Sequence, residues 1–251
     1  GQGHQRHHRG LGRVARAVGV LTLVLAASAC GGSRSAEVFV GSASSFAQVL
    51  EAAQDSYGQY ELKVLVGGSQ LLVTQVLEGA PMDVIVTADW PAMEALVAAD
   101  KVAAPPTLLG HNALVIAVER GNPLAIGSIR DLARPDVKLV LAATEVPLGR
   151  YSAQVLDAAG VEARPVSLAG SATAVAGLLA SGEADAGIVY ETDAEVWGLT
   201  GIPLPPEIDV TAEYYIAPIT GAPNPEGGTA LIEFLLSSDG RALLARLGFA
   251  V

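Results

Sequence analysis

From Glu37 onward, short runs of β-branched and aliphatic residues alternate with segments whose apolar residues recur at helical spacing, and few folds accommodate that alternation. Strands separated by amphipathic helices build a mainly parallel sheet covered by helices. Val38-Phe39-Val40 reads as the first strand and Ser44 to Ala53 as the first helix, with Phe46, Val49, Leu50 and Ala53 on one face. Leu62, Val64 and Val66 alternate into a second strand, followed by a helix over Gln70 to Leu77 that Gly79 and Pro81 stop. Val84-Ile85-Val86 is a third strand, and Pro91 opens a helix running to Ala99.

After a strand at Leu114 to Val118 the pattern starts again. The second series has a short helix near Ile129 to Leu132, a strand at Lys138 to Ala142, a helix at Tyr151 to Ala159, and a helix at Thr173 to Ser181. Gly182 then turns the chain into the apolar strand Ala186 to Val189, which ends on Tyr190. A proline-rich connection, Ile202 to Pro206, leads to the strand-like Tyr214 to Ala217 and two closing helices, Thr229 to Leu236 and Gly240 to Leu247. The expected fold is α/β with two lobes, each a mainly parallel sheet flanked by helices. Residues 37–116 and 213–251 form a discontinuous first lobe and 117–212 the second, each near the usual domain size. A cleft between them follows.

The first thirty residues differ in kind. Arg6, Arg9, Arg13 and Arg16 precede an apolar run from Ala17 to Leu25, then Ala26-Ala27-Ser28-Ala29-Cys30. The run is too short to cross a bilayer, which takes roughly 20 apolar residues, so 1–30 reads as a secretory signal. Small residues before Cys30 resemble a lipobox, with cleavage and lipid attachment at that cysteine; residues 31–36 read as a tether. The expected location is extracytoplasmic, on a membrane-anchored lipoprotein. Cys30 is the only cysteine, so intramolecular disulfides are excluded. Four of the fifteen basic residues and none of the 26 acidic ones lie in the leader, leaving −15 on the remainder. Such a surface repels phosphate backbones, and no nucleic-acid partner is expected.

Two strand-to-helix junctions carry serine: Gly41-Ser42-Ala43-Ser44-Ser45 and Gly67-Gly68-Ser69-Gln70. Open N–H groups at a helix start together with a Ser hydroxyl make a donor cup suited to an anion, although Ser is also the ordinary N-cap. Tyr190 stands at the end of its strand, where open α/β sheets hold ligands.

Gly79-Ala80-Pro81 before Asp83, Val146-Pro147-Leu148-Gly149-Arg150-Tyr151, Gly182-Glu183-Ala184-Asp185, Val189-Tyr190 with Thr192-Asp193-Ala194, and Leu247-Gly248-Phe249 occur in that order. Together they resemble the molybdate-binding proteins of bacterial ABC importers, over about residues 37–251. The resemblance implies an oxyanion held by two serine hydroxyls, backbone N–H groups and a tyrosine hydroxyl. Carried onto this chain, those positions are Ser69, the backbone at Leu148 and at Ala172, and Tyr190. The first serine is Ser42 if the preceding strand ends one residue early; ungapped counting reaches Ala43 and leaves Ser44 as the substitute. Where the family commonly has Tyr-Pro, this chain has Tyr214-Tyr215. The implied receptor is a monomer without cofactor that gives molybdate, or the near-identical tungstate, to an ABC permease.

Sulfate or a small organic anion would suit the same fold and mechanism. Catalysis is not expected: no Gly-x-Ser-x-Gly elbow occurs, and His111 is the only histidine after the leader, so a serine hydrolase would have to rely on it. No metal site is expected either. His4, His7 and His8 fall in the leader, and Asp83, Asp185 and Asp193 read as turn and cap residues; Trp90, Trp197 and Tyr57 read as packing or surface aromatics.

Overall fold

Alternation sets the first strand: Val38 and Val40 are buried while Glu37 and Phe39 face solvent in β1 (Glu37–Ala43). In a computed structural model that describes residues 36–251 apart from Gln59 and Asp209, the chain continues through a 3-10 turn (Ser44–Phe46), α1 (Ala47–Tyr57), β2 (Glu61–Gly67), α2 (Ser69–Leu77), β3 (Val84–Thr87) and α3 (Trp90–Ala98). The proposed signal, the lipidation site Cys30 and residues 31–35 of the tether lie outside the described residues. The long β4 (Thr107–Val118) leads to a 3-10 helix (Ile129–Ala133), β5 (Leu139–Ala142), α4 (Pro147–Ala159), β6 (Ser167–Ala169), α5 (Ala172–Ala180) and β7 (Ala186–Tyr190). The chain ends with α6 (Glu191–Val196), β8 (Thr200–Pro203), β9 (Thr211–Pro218), α7 (Pro225–Leu236) and α8 (Ser238–Arg246).

The strands lie in the order β2-β1-β3-β9-β4-β7-β5-β6, with β8 also on β4. Each end of the sheet holds a parallel trio: β1 between β2 and β3, and β5 between β6 and β7. Antiparallel strands join them, so the sheet is mixed. Strand β4 makes the join, because Thr107–Ala113 pair with β9 whereas Leu114–Val118 pair with β7. The completely buried runs Val84–Thr87, Leu139–Ala142 and Ala186–Tyr190 are what parallel strands covered on both faces require. Gly182, at φ +74°, turns α5 toward β7 in the left-handed region that favours glycine.

Several boundaries depart from the sequence pattern. β4 begins at Thr107 rather than Leu114, since its polar first half, including His111 and Asn112, is fixed by pairing with β9 and not by alternation. α4 begins at Pro147 rather than Tyr151. Proline is tolerated in a first turn, and Gly149 is needed there because a Cβ would lie 1.9 Å from the Ala143 carbonyl oxygen. The short β6 and β8 gave no strand signal; β8 runs into what reads as a proline-rich connection. Among the described residues no helix is long and apolar enough to cross a membrane.

Candidate functional site

The loops that leave β1, β2, β5, β6 and β7 meet around one small cavity of about 10 Å³, bordered by Ser44, Ser69, Leu148, Ala172, Tyr190 and neighbouring small residues. A cavity needs roughly 10–15 Å³ to hold one water and drug-sized ligands need roughly 300–1,000 Å³, so the space suits only a small inorganic guest. Of the residues expected from sequence, Ser69, Leu148, Ala172 and Tyr190 are brought together here. Ser42 is not. Strand β1 runs through Ala43 instead of ending early, which pairs Ser42 with Val66 and Val86 and buries it; its hydroxyl donates to the Ala43 carbonyl at 3.0 Å. Ser44, the substitute, lines the cavity at the start of the 3-10 turn.

The local folding explains why donors face the gap. Five helical segments begin at the cavity, and four of those starts, at Ala43, Gly68, Val146 and Tyr190, carry no side-chain cap. Their first N–H groups are the ones an α-helix cannot satisfy internally, and the aligned peptide dipoles add positive potential at the same ends. Only the start of α5 is capped, by Ser171 accepting from the Ala174 N–H at 3.1 Å.

The hydroxyls are set as donors too. Ser69 Oγ accepts from the Ala88 N–H at 3.1 Å and Ser44 Oγ makes a longer contact with the Thr173 N–H at 3.5 Å, so the proton of each hydroxyl remains available. Tyr190 is 1% exposed and its hydroxyl has no hydrogen-bond partner in the protein. Burial, with lesser effects from Tyr214, Tyr151, Asp193 and Asp89, pushes that hydroxyl well above its ordinary pKa of 10.0, which keeps its proton on. The arrangement offers protons to a ligand and suits a fully deprotonated anion.

Behind the cavity lies support that the sequence reading did not assign. Tyr214 stacks edge-on against Tyr190, Phe46 lies tilted beside Tyr214, and Phe249 meets both of the latter edge-on. Tyr214 and Ser45 share a hydrogen bond at 2.7 Å. The available signal was Tyr214 itself, a hydroxyl-bearing aromatic in the strand-like run Tyr214-Tyr215-Ile216-Ala217. Asp193 sits alongside, 6% exposed, and burial raises its carboxyl from 3.8 to about 7.

The remaining acids are structural. Asp83 accepts from the Phe39 and Asn224 N–H groups, and Asp185 from the Lys138 N–H. Among the described residues no three His, Cys, Asp or Glu side chains gather as metal ligands. His111 is partly exposed, pairs with Glu213 at 3.8 Å and does not line the cavity. Trp90 packs edge-on against Tyr215, and Tyr57 stacks on Tyr60.

The chain is similar to known proteins over nearly all of its described length. It is 32% identical over 223 residues to the molybdate-binding protein ModA of Mycobacterium tuberculosis, covering 87% of this chain and 85% of that protein. Its fold matches the Azotobacter vinelandii periplasmic molybdate-binding protein with a TM-score of 0.75 at 17% identity, over 85% of this chain and 99% of that one. It also matches the sulfate-binding protein SubI of Mycobacterium tuberculosis, with a TM-score of 0.69 at 20% identity, over 85% of this chain and 86% of that one. At such identities these two likenesses establish the two-lobed α/β fold and leave the ligand open. The model of one family, the bacterial extracellular solute-binding proteins, matches residues 38–250. With the donor-lined cavity, that match and the mycobacterial relative make this chain a member of the bacterial extracellular solute-binding proteins, transport receptors rather than enzymes.

Proposed function

We propose that the protein captures molybdate in this cavity and delivers it to an ABC permease. The observation that carries the reading is the Tyr190 hydroxyl, held protonated and without a protein acceptor beside two serine hydroxyls that each already accept from one backbone N–H group. A tetrahedral dianion needs donors only. Hydrogen bonds to a charged group contribute about 1.5–3 kcal/mol each, so four or five supply the roughly 8 kcal/mol of micromolar binding without a cation in the cavity. The ModA relative supports molybdate as the ligand.

Binding sites would come from two lobes, 37–116 with 213–251 and 117–212, that close on the anion. The flexing point is then where β4 exchanges β9 for β7, between Ala113 and Leu114, and where β9 starts at Thr211. In this reading the receptor works as a monomer outside the cytoplasm, tethered through lipid on Cys30.

A thermal-shift and calorimetric screen of molybdate, tungstate, sulfate and phosphate tests the assignment. Molybdate and tungstate should raise the melting temperature together, because a ligand at a hundred times its Kd stabilises by about 2.7 kcal/mol. Sulfate, being smaller, should fall behind. Failure of every oxyanion to shift melting, or sulfate outcompeting molybdate, would remove the proposal.

A further inference from the structure

Six ion pairs occur among the described residues, and five of them stay within one end of the sheet or along one strand pair. The sixth does not. Arg150, in the first turns of α4, reaches Asp89 at the start of α3, with Nε and Oδ2 2.5 Å apart. α3 follows β3 and α4 follows β5, so the pair spans the gap that the cavity occupies. The Asp89 side chain is 3% exposed and the Arg150 side chain 28%; among the five other pairs the least exposed acid is Asp185 at 18%.

Both partners are held in place from their own side. Asp89 Oδ1 accepts from the Ala92 N–H at 3.1 Å, capping α3. Arg150 Nη1 donates to the Thr144 and Glu145 carbonyls at 3.3 and 2.7 Å. Each also adjoins the cavity in sequence: Ala88 precedes Asp89 and donates to Ser69, and Leu148 stands two residues before Arg150. Two uncharged contacts cross at the same place, Gln70 Nε2 to the Gly170 carbonyl at 3.0 Å and the Thr173 N–H to Ser44 Oγ.

We propose that Arg150 and Asp89 form a latch across the cleft, a pair of positioning residues that sets how long the bound oxyanion stays. This rests on the cavity being the oxyanion site. When the cleft is open both charges are hydrated; when it closes, a buried carboxylate needs its guanidinium, and a planar guanidinium fixed by two carbonyls offers it a strong, directional bond. The latch therefore acts on release more than on capture.

Molybdate association and dissociation rates of the full-length protein test it, measured for the wild type, Arg150→Gln, Arg150→Lys, Asp89→Asn and the double variant Asp89→Asn/Arg150→Gln. Arg150→Gln should release molybdate about ten- to a hundredfold faster, with association nearly unchanged. Arg150→Lys should recover part of the loss. Asp89→Asn keeps the α3 cap and should also release faster, and the double variant should be no worse than Arg150→Gln, because no carboxylate is then buried alone. Arg150 is partly exposed, so its variants should fold; melting curves check this. Unchanged release in the Arg150 variants would overturn the latch while leaving the site intact. Tighter binding by Asp89→Asn would overturn it too, by showing that the acid only shields the ligand from the Arg150 charge. A wild type that does not bind molybdate overturns the site and the latch together.

Discussion

Replacing Tyr190 by Phe removes one oxygen and should move two measurements in opposite directions. The hydroxyl is buried and lacks a protein acceptor, a condition that costs about 1–3 kcal/mol in a folded chain. Phe keeps the ring that packs on Tyr214, at a centroid distance of 5.9 Å, and relieves that cost. Ligand-free Tyr190→Phe should therefore melt higher, by about 2–4 °C per kcal/mol for a chain of this size. The same oxygen would be a donor to the anion, worth about 1.5–3 kcal/mol, so molybdate affinity should fall by roughly ten- to 150-fold. Ser69→Ala supplies the contrast: it also removes a donor, but it leaves the Ala88 N–H without its acceptor, so both affinity and ligand-free stability should drop. Calorimetric titration with molybdate and ligand-free scanning calorimetry decide the matter. If Tyr190→Phe lowers the melting temperature and leaves affinity unchanged, the hydroxyl has a packing role and the donor argument fails.

Asp193 gives a pH test. Its folded-state pKa of about 7 lies above the ordinary 3.8, so between those values the native state holds a proton that the unfolded state has lost, and its contribution to stability falls as pH rises through that window. Asp193→Asn should remove this slope and exceed the wild type by a few kcal/mol above pH 7, on the order of 1.36 kcal/mol for each pH unit that separates the folded and unfolded values; parallel urea midpoints of the two proteins from pH 4 to 8 would contradict it. Gly149→Ala should destabilise by about 3 kcal/mol or more, since its Cβ would press on the Ala143 and Ala142 carbonyl oxygens and neither is a side chain that can turn aside; a midpoint change of less than about 1 kcal/mol in chemical denaturation would show that the first turn of α4 relaxes.

Much of the scaffold was legible because burial repeats. Val84–Val86 and Ala186–Val189 announce covered strands, and Phe46, Val49, Leu50 and Ala53 a single helix face. The places of Ser69 and Tyr190 at the cavity were legible because each ends a clear apolar strand or opens a clear helix. Ser42 misled because Gly41-Ser42-Ala43 carries no apolar signal for where β1 stops. Gly41 is small for another reason, a Cβ there lying 2.7 Å from Met82 Sδ, and the ladder to Val66 and Val86 continues past it. The Asp89–Arg150 pair was invisible because its members stand 61 positions apart and meet only once the two ends of the sheet face each other. Tyr214 and Ser45, 169 positions apart, are hidden for the same reason.

Strand β4 hydrogen-bonds to β9 through its first half and to β7 and β8 through its second, with no break in the backbone between. Neither half of the molecule owns all of its own ladder, so neither can melt and leave the other's edge intact. The described part of the protein should unfold as one cooperative event despite its bilobal shape, and a lesion at Ala113 or Leu114 would be felt on both sides of the cleft at once.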